Sequence, residues 1–173
     1  YGIATHLTSY FQHNEAAKGE RIVLALCQGR SVALISDAGT PAIADPGFLL
    51  VRRCREEGIP VVAVPGPSAL VAALAVSGLP SERFAFEGFL PAKSRARRQI
   101  LARLRGEERT TLFYEAPHRL LAAPGDAVAE LGGEREVAVA RELTKVHEEL
   151  FRGTLDAAVE HFGGSRVRGE IVL

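Results

Sequence analysis

The sequence predicts an α/β protein of two lobes, a parallel α/β lobe over residues 1–80 and a mixed α+β lobe over residues 81–173. Three observations carry this. Two short, continuous apolar runs, residues 31–36 (SVALIS) and 59–64 (IPVVAV), alternate with helical segments, a pattern that means a parallel sheet covered on both faces. Gly78-Leu79-Pro80-Ser81 then breaks the chain. Beyond it, strands and helices follow one another less regularly.

Taken in order, Asn14 is placed to cap a helix running to about Gln28 and stopped at Gly29, with Ile22, Val23, Leu26 and Cys27 on one face. The first apolar strand follows. Asp45 as N-cap and Pro46 at the first helical position open a second helix ending near Glu57, with Gly58 as its stop. After the second strand, Ser68 caps the small-residue helix ALVAALAVS, which Gly78 ends. In the second lobe residues 83–89 alternate, with Phe84 and Phe86 on one face. Ser94 is read as the cap of a very basic helix ending at Gly106. A strand is expected at residues 110–114 and a helical stretch at 117–131, interrupted at Pro124-Gly125. Strands at 136–140 and 147–152, a helix from Thr154 to Phe162 and the start of a strand at 170–173 complete the reading.

The composition, 47% hydrophobic and 24% charged over 173 residues, is that of an ordinary globular chain. Twenty-one basic residues balance 21 acidic ones, so any nucleic-acid contact must come from a local patch. No apolar run approaches the roughly 18–20 residues of a membrane span, and no leader pattern opens the chain. Cys27 and Cys54 lie in apolar helical patterns and read as buried free thiols, which favours a cytoplasmic location. Methionine is absent and the chain opens on a helix. Two parallel strands make a poor sheet by themselves, so a strand upstream of Tyr1 is expected and the first lobe is read as incomplete.

Five segments offer chemistry. Asp37-Ala38-Gly39-Thr40-Pro41 and Pro65-Gly66-Pro67-Ser68 each follow a predicted strand, where open α/β sheets bind ligands and where glycine admits close backbone approach. Asp, Gly and Pro are also the usual residues of plain turns. Neither segment is a GxGxxG or P-loop motif. Tyr114-Glu115-Ala116-Pro117-His118-Arg119 and residues 140–149 (ARELTKVHEE) are dense in ionisable groups, as a catalytic loop or a solvated, salt-bridged one would be. The fifth is the basic segment with Lys93, Arg95, Arg97, Arg98, Arg103, Arg105 and Arg109, opposed only by Glu107 and Glu108. Ile100, Leu101 and Leu104 anchor it, and the cations form a candidate phosphate-binding surface. The five histidines have no metal-ligand spacing, so no metal is expected.

SDAGTPAIADPG, VPGPSALVAAL, FEGFLP, FYEAPHR and ARELTKVHEE, in this order, resemble the tetrapyrrole methylase family over nearly the whole chain. Five ordered motifs make the resemblance specific. It implies a two-lobe tetrapyrrole-methylase-like fold and S-adenosylmethionine as cofactor, held in a cleft between the lobes. The nearest resemblance is to members that methylate the ribose 2′-oxygen of a cytidine in small-subunit (16S) rRNA, which makes the small ribosomal subunit the partner and a homodimer the expected state. The family's first strand and glycine-containing loop are not in this sequence, and the family continues past Leu173.

Carried over residue by residue, the resemblance implies a donor site of Asp37, Ala38, Gly39, Pro65, Gly66, Pro67, Ser68, Phe89, Leu90, Tyr114, Glu115, Ala116, Ala140, Arg141 and Glu142. A ribose hydroxyl is a weak acid, and Lys145, His147, Glu115 and His118 are the candidates to take its proton. Lys93, Arg95, Arg97, Arg98, Arg103 and Arg105 are the candidates to meet RNA phosphates. Two alternatives remain at this point: methylation of a tetrapyrrole or other small molecule, and a non-catalytic RNA- or ribosome-binding module.

Overall fold

A computed structural model describes residues 2–120, 122–164 and 167–173. The chain divides into two compact units, residues 1–67 and 68–173.

In the first unit α1 (Glu15–Cys27) packs against α2 (Phe48–Glu56). Val23, Leu50 and Cys54 are buried between them, with Tyr10, Ile22, Leu26 and Ile59 against that core. Asn14 does stand at the N-cap of α1, but its side chain turns away: Oδ1 accepts the Phe11 N–H at 2.9 Å. Cys54 is buried as expected, whereas Cys27, the last residue of α1, is exposed. The second helix begins at Phe48, not at Pro46. Ala44 and Gly47 have φ of 54° and 142°, which no helix accommodates, and the Gly47 N–H donates to Glu15 Oε1 at 3.0 Å instead.

The two apolar runs of this unit correct the sequence reading. Neither residues 31–36 nor 59–64 form a strand, and Ile35, Val62 and Val64 are 72%, 83% and 86% exposed. A strand exists only through its ladder, and among the described residues neither run has a ladder partner.

The second unit opens with α3 (Ala69–Ser77), which begins after Ser68 and ends at Gly78, φ 79°. The expected boundary at residue 80 falls beyond this helix, whereas the units divide at Pro67/Ser68, since Leu70, Ala73 and Leu74 of α3 bury against Leu112, Ala140 and Val172 of the sheet. That sheet is built from β1 (Phe84–Phe89), β2 (Thr110–Glu115), β3 (Glu136–Arg141), β4 (Glu149–Thr154) and β5 (Ile171–Val172), in the order β1-β2-β5-β3-β4. β1 and β2 are parallel, and β5 is antiparallel to both β2 and β3. The carboxyl ends of β1, β2 and β3 therefore lie along one edge. α3 covers one face of the sheet; α4 (Ser94–Arg103), α5 (Ala122–Leu131) and α6 (Leu155–Phe162) supply the core on the other.

The sequence places these elements well, with three differences. The expected strand at 147–152 begins two residues later, at Glu149. Pro124-Gly125 does not interrupt α5, because proline there sits in the first turn, where no N–H partner is lost. The break comes earlier, after a 3₁₀ turn at Pro117–Arg119; residue 121, inside the expected stretch, lies outside the described residues. The third is at α4, where Lys93 and not Ser94 takes the cap position and the helix ends at Arg103 rather than Gly106, the Leu104 and Arg105 amides bonding back only three residues. Thr154 caps α6 as predicted, its Oγ1 accepting the Ala157 N–H at 3.2 Å.

Candidate active site

Strand register decides which candidate residues meet in the second unit. Phe89, Tyr114, Val172, Ala140 and Leu150 form one row across the sheet; Glu115, Ile171, Arg141 and Glu149 form the next. Neighbours in a row share a face. Phe89 and Tyr114 accordingly touch, ring centroids 5.5 Å apart, with Phe86 4.9 Å from Tyr114 on the same side. Gly88, at φ 69°, makes the bulge between Phe86 and Phe89 that brings Phe89 opposite Tyr114. Ala140 is buried on this same face, and Leu90 in the core on the other.

The other face carries the charges. The Glu115 side chain is fully buried, and its Oε1 accepts the Ala116 N–H at 2.8 Å and lies 2.8 Å from Arg119 Nε. Arg119 Nη1 donates to the Leu90 carbonyl at 2.9 Å. Arg141 Nε pairs with Glu149 Oε2 at 2.8 Å, and His161 Nε2 lies 2.8 Å from Glu149 Oε1. The His161 contact, and then Arg141, hold the Glu149 carboxyl below its ordinary range. The sequence places Arg119 in a candidate loop without a role, and it does not mark His161 as a site residue. Arg119 had a signal, lying four residues after Glu115; His161 joins only through the sheet register.

The loop after β3 is held in unusual backbone. Glu142 and Thr144 have φ of 50° and 65°. Non-glycine residues avoid this region, and such strain gathers where a site over-determines the chain. The Glu142 N–H donates to the Glu170 carbonyl and the Glu170 N–H donates to Glu142 Oε1, while Lys145 Nζ bridges Glu142 Oε1 and Glu170 Oε2 at 2.8 and 2.9 Å. These bonds raise the Lys145 ammonium above its ordinary range and lower Glu142. His118 and His147 are exposed.

In the first unit Asp37, Ala38, Gly39, Pro65, Gly66 and Pro67 are all exposed. Thr40 Oγ1 donates to the Pro67 carbonyl at 3.3 Å, joining the two loops that the sequence singled out. Gly39, Ala42, Ala44 and Gly47 have positive φ, so this loop is strained as the 142–144 loop is. Nothing lies within 4 Å of a side chain built at Gly39, which leaves its backbone open to approach.

The basic helix α4 divides its cations. Arg97 is 3% exposed, which removes it from the expected RNA-facing set. Its Nε donates to Asp126 Oδ2 at 2.7 Å and its Nη1 to the Pro91 and Ala92 carbonyls. Arg98 and Arg105 converge on Glu130, at 2.6 and 2.7 Å. Lys93, Arg95 and Arg103 are exposed and make no ion pair among the described residues. Among the described residues no group of histidine, cysteine or carboxylate side chains fits a metal ion, and no helix is long and apolar enough to cross a membrane.

Comparison with known proteins adds the following. Residues 3–159 match the family described as Tetrapyrrole (Corrin/Porphyrin) Methylases. The chain is 49% identical over 173 residues to the Ribosomal RNA small subunit methyltransferase I of Synechocystis sp., covering 100% of this chain and 62% of that protein. It is 56% identical over 155 residues to the protein of the same name from Xylella fastidiosa, covering 90% of this chain and 57% of the other. Among solved structures, the methyltransferase CobJ superposes with a TM-score of 0.63 at 17% identity, over 91% of this chain and 70% of that one. Uroporphyrin-III C-methyl transferase from Thermus thermophilus, complexed with S-adenyl homocysteine, gives a TM-score of 0.56 at 19% identity, over 91% and 72%. At those identities the two structures speak for the fold.

Proposed function

The chain belongs to the tetrapyrrole (corrin/porphyrin) methylase family, and we propose that the protein transfers a methyl group from S-adenosylmethionine to small-subunit rRNA. The finer reading is the ribose 2′-oxygen of a cytidine in 16S rRNA, by a cytoplasmic homodimer acting on the small ribosomal subunit. One observation carries the proposal: about half of all residues, over the full chain, are shared with a protein named as a small-subunit rRNA methyltransferase.

The residues present fit the donor. Gly39 offers open backbone, and Tyr114, Ala116, Ala140 and Arg141 stand at strand ends, the usual ligand position in such sheets. When bound, the donor supplies a methyl group already activated on a sulfonium. Asp37, Ala38, Gly39, Pro65, Gly66, Pro67, Ser68, Phe89, Leu90 and Glu142 complete the proposed donor set. Holding the acceptor oxygen in line with that methyl is the protein's main contribution to rate.

The four proton-acceptor candidates are not equivalent. Lys145 is kept charged by Glu142 and Glu170, which suits it to stabilise charge rather than take a proton. Glu115 is enclosed and paired to Arg119. His118 and His147 are exposed, and imidazole is the side chain most often used as a general base; they are the bases favoured here. Lys93, Arg95 and Arg103 are the favoured phosphate contacts, which supports an RNA acceptor over a small molecule.

Transfer of labelled methyl from S-adenosylmethionine to purified small subunits, followed by nuclease mapping, tests the reading. The double variant Arg95→Glu/Arg103→Glu should lose RNA affinity, reduce the salt slope by about two and leave donor affinity unchanged. Wild-type transfer by that variant would turn the reading toward a small-molecule acceptor.

A further inference from the structure

We infer that Arg119 is a positioning residue that, anchored on the buried Glu115 carboxylate, fixes the loop after β1 against the turn after β2. The inference rests on the proposed donor site and assigns a part of it to a residue that touches no substrate.

Glu115 is 2% exposed and its side chain is fully enclosed. Its Oε2 is buried without a hydrogen-bond partner among the described residues. A buried carboxylate is costly and needs close compensation. Its compensation falls on Oε1: the Ala116 N–H donates to it at 2.8 Å, and Arg119 Nε lies 2.8 Å away as a close ion pair without hydrogen-bond geometry. An enclosed, ion-paired carboxylate of this kind cannot reach an acceptor hydroxyl, so its place is structural to the site.

The same guanidinium has a second engagement. Nη1 donates to the Leu90 carbonyl at 2.9 Å. Leu90 is the first residue after β1, and Glu115 is the last residue of β2. One planar group thus spans two adjacent strand ends, contacting a carboxylate and a carbonyl at once. Phe89 against Tyr114 closes the same two strand ends on the opposite face of the sheet. A planar guanidinium can lie charge to charge against a carboxylate while donating to a carbonyl; an ammonium is a single point of charge. Register between loops within about half an ångström is what a preorganised site requires.

The experiment compares wild-type protein with Arg119→Ala and Arg119→Lys. Donor affinity is measured by calorimetry, and kcat and KM for donor are measured on small subunits. Arg119→Ala should weaken donor affinity and raise donor KM by about tenfold or more. Arg119→Lys, which keeps a cation beside Glu115, should fold like wild type yet recover only part of the donor affinity. A residue serving stability alone would lower the active fraction, and so apparent kcat, at unchanged donor KM. That result, or full rescue by lysine, overturns the inference while the proposed function stands. Absence of donor binding by the wild-type protein overturns both.

Discussion

Two segments of nearly the same character meet opposite fates. β3, with the sequence EVAVAR, and residues 59–64, with the sequence IPVVAV, are both short and rich in valine. Val139 of β3 is fully buried, while Val62 and Val64 are 83% and 86% exposed. β3 has β4 on one side and β5 on the other; the second segment has no ladder partner among the described residues. An apolar run states which side chains favour burial. Only a partner supplies the hydrogen bonds that make the run a strand. The contrast extends to charges, since the second unit buries an ion pair, Arg97 with Asp126, while the first unit keeps Arg53 half-buried at the surface among Glu20, Glu56 and Glu57.

That last contrast gives the largest expected effect. Asp126→Ala strips the buried Arg97 guanidinium of its counter-ion, and leaving such a charge unpaired costs about 3–5 kcal/mol. Arg53→Ala removes three surface pairs and should leave the denaturation midpoint nearly unchanged. Urea titration of the two variants measures the difference. Equal losses would erase the distinction between the two regions.

The core supplies the next test. Leu120 is fully buried among Val139, Ala158, Phe162 and Ile171, so Leu120→Ala should cost about 2–5 kcal/mol. Val62→Thr, at an exposed position, should stay within about 0.5 kcal/mol. A large loss at Val62, seen in the same titration, would show that residues 59–64 are buried in solution and that the contrast is not intrinsic.

Much of this was legible in advance where the cause is local. Gly78 and Gly58 end helices at positive φ, Thr154 caps α6, and alternation marks β1. Of the loops singled out, residues 140–149 contain strained backbone at Glu142 and Thr144, and Ala42 and Ala44 follow directly after the segment ending at Pro41; residues 65–68 and 114–119 have no residue at positive φ. What stayed hidden depends on distant partners. Seven cations from Lys93 to Arg109 look alike in sequence, yet Asp126, 29 residues away, draws Arg97 inside. The tie from Arg119 to Leu90 likewise joins residues 29 apart, and no periodicity announces it.

A smaller effect is expected at Gly169. Its φ is 96°, and a side chain there would stand 2.3 Å from the Glu142 carboxyl, which packs over this turn. Gly169→Ala should therefore cost about 1–3 kcal/mol and disturb the 142–145 loop. Gly58→Ala in the first unit meets nothing within 4 Å at φ 70°, so only the backbone contribution of about 1 kcal/mol remains. Thermal melts of the two variants, with donor affinity measured alongside, would sharpen the comparison. A change in donor affinity for Gly169→Ala alone would connect the strained loop to the site.

The smallest effect separates the units by pH. Burial, reinforced by the negative charge of Glu15, pushes the Tyr10 phenol up from 10.0 to about 12. In the second unit, hydrogen bonds from Arg109 bring the Glu107 carboxyl down from 4.5 to about 2. The signs are opposite. Between pH 10 and 12 the unfolded chain has lost the tyrosine proton that the folded chain keeps, so stability falls as pH rises through that window. Between pH 4.5 and 2 the unfolded chain takes up the Glu107 proton first, so stability falls as pH drops. Alkaline loosening should therefore begin around α1 and α2, where Tyr10 packs, and the acid effect near the Glu107–Arg109 pair. Tyrosinate absorbance should place Tyr10 near 12 and return it toward 10 in Glu15→Gln only in part, since burial is the larger cause. Carboxyl titration by NMR should place Glu107 near 2 and move it toward its ordinary range in Arg109→Ala. A Tyr10 that titrates near 10 in the wild-type protein would mean that α1 and α2 do not enclose it, and that the core of Val23, Leu50 and Cys54 does not extend to this residue.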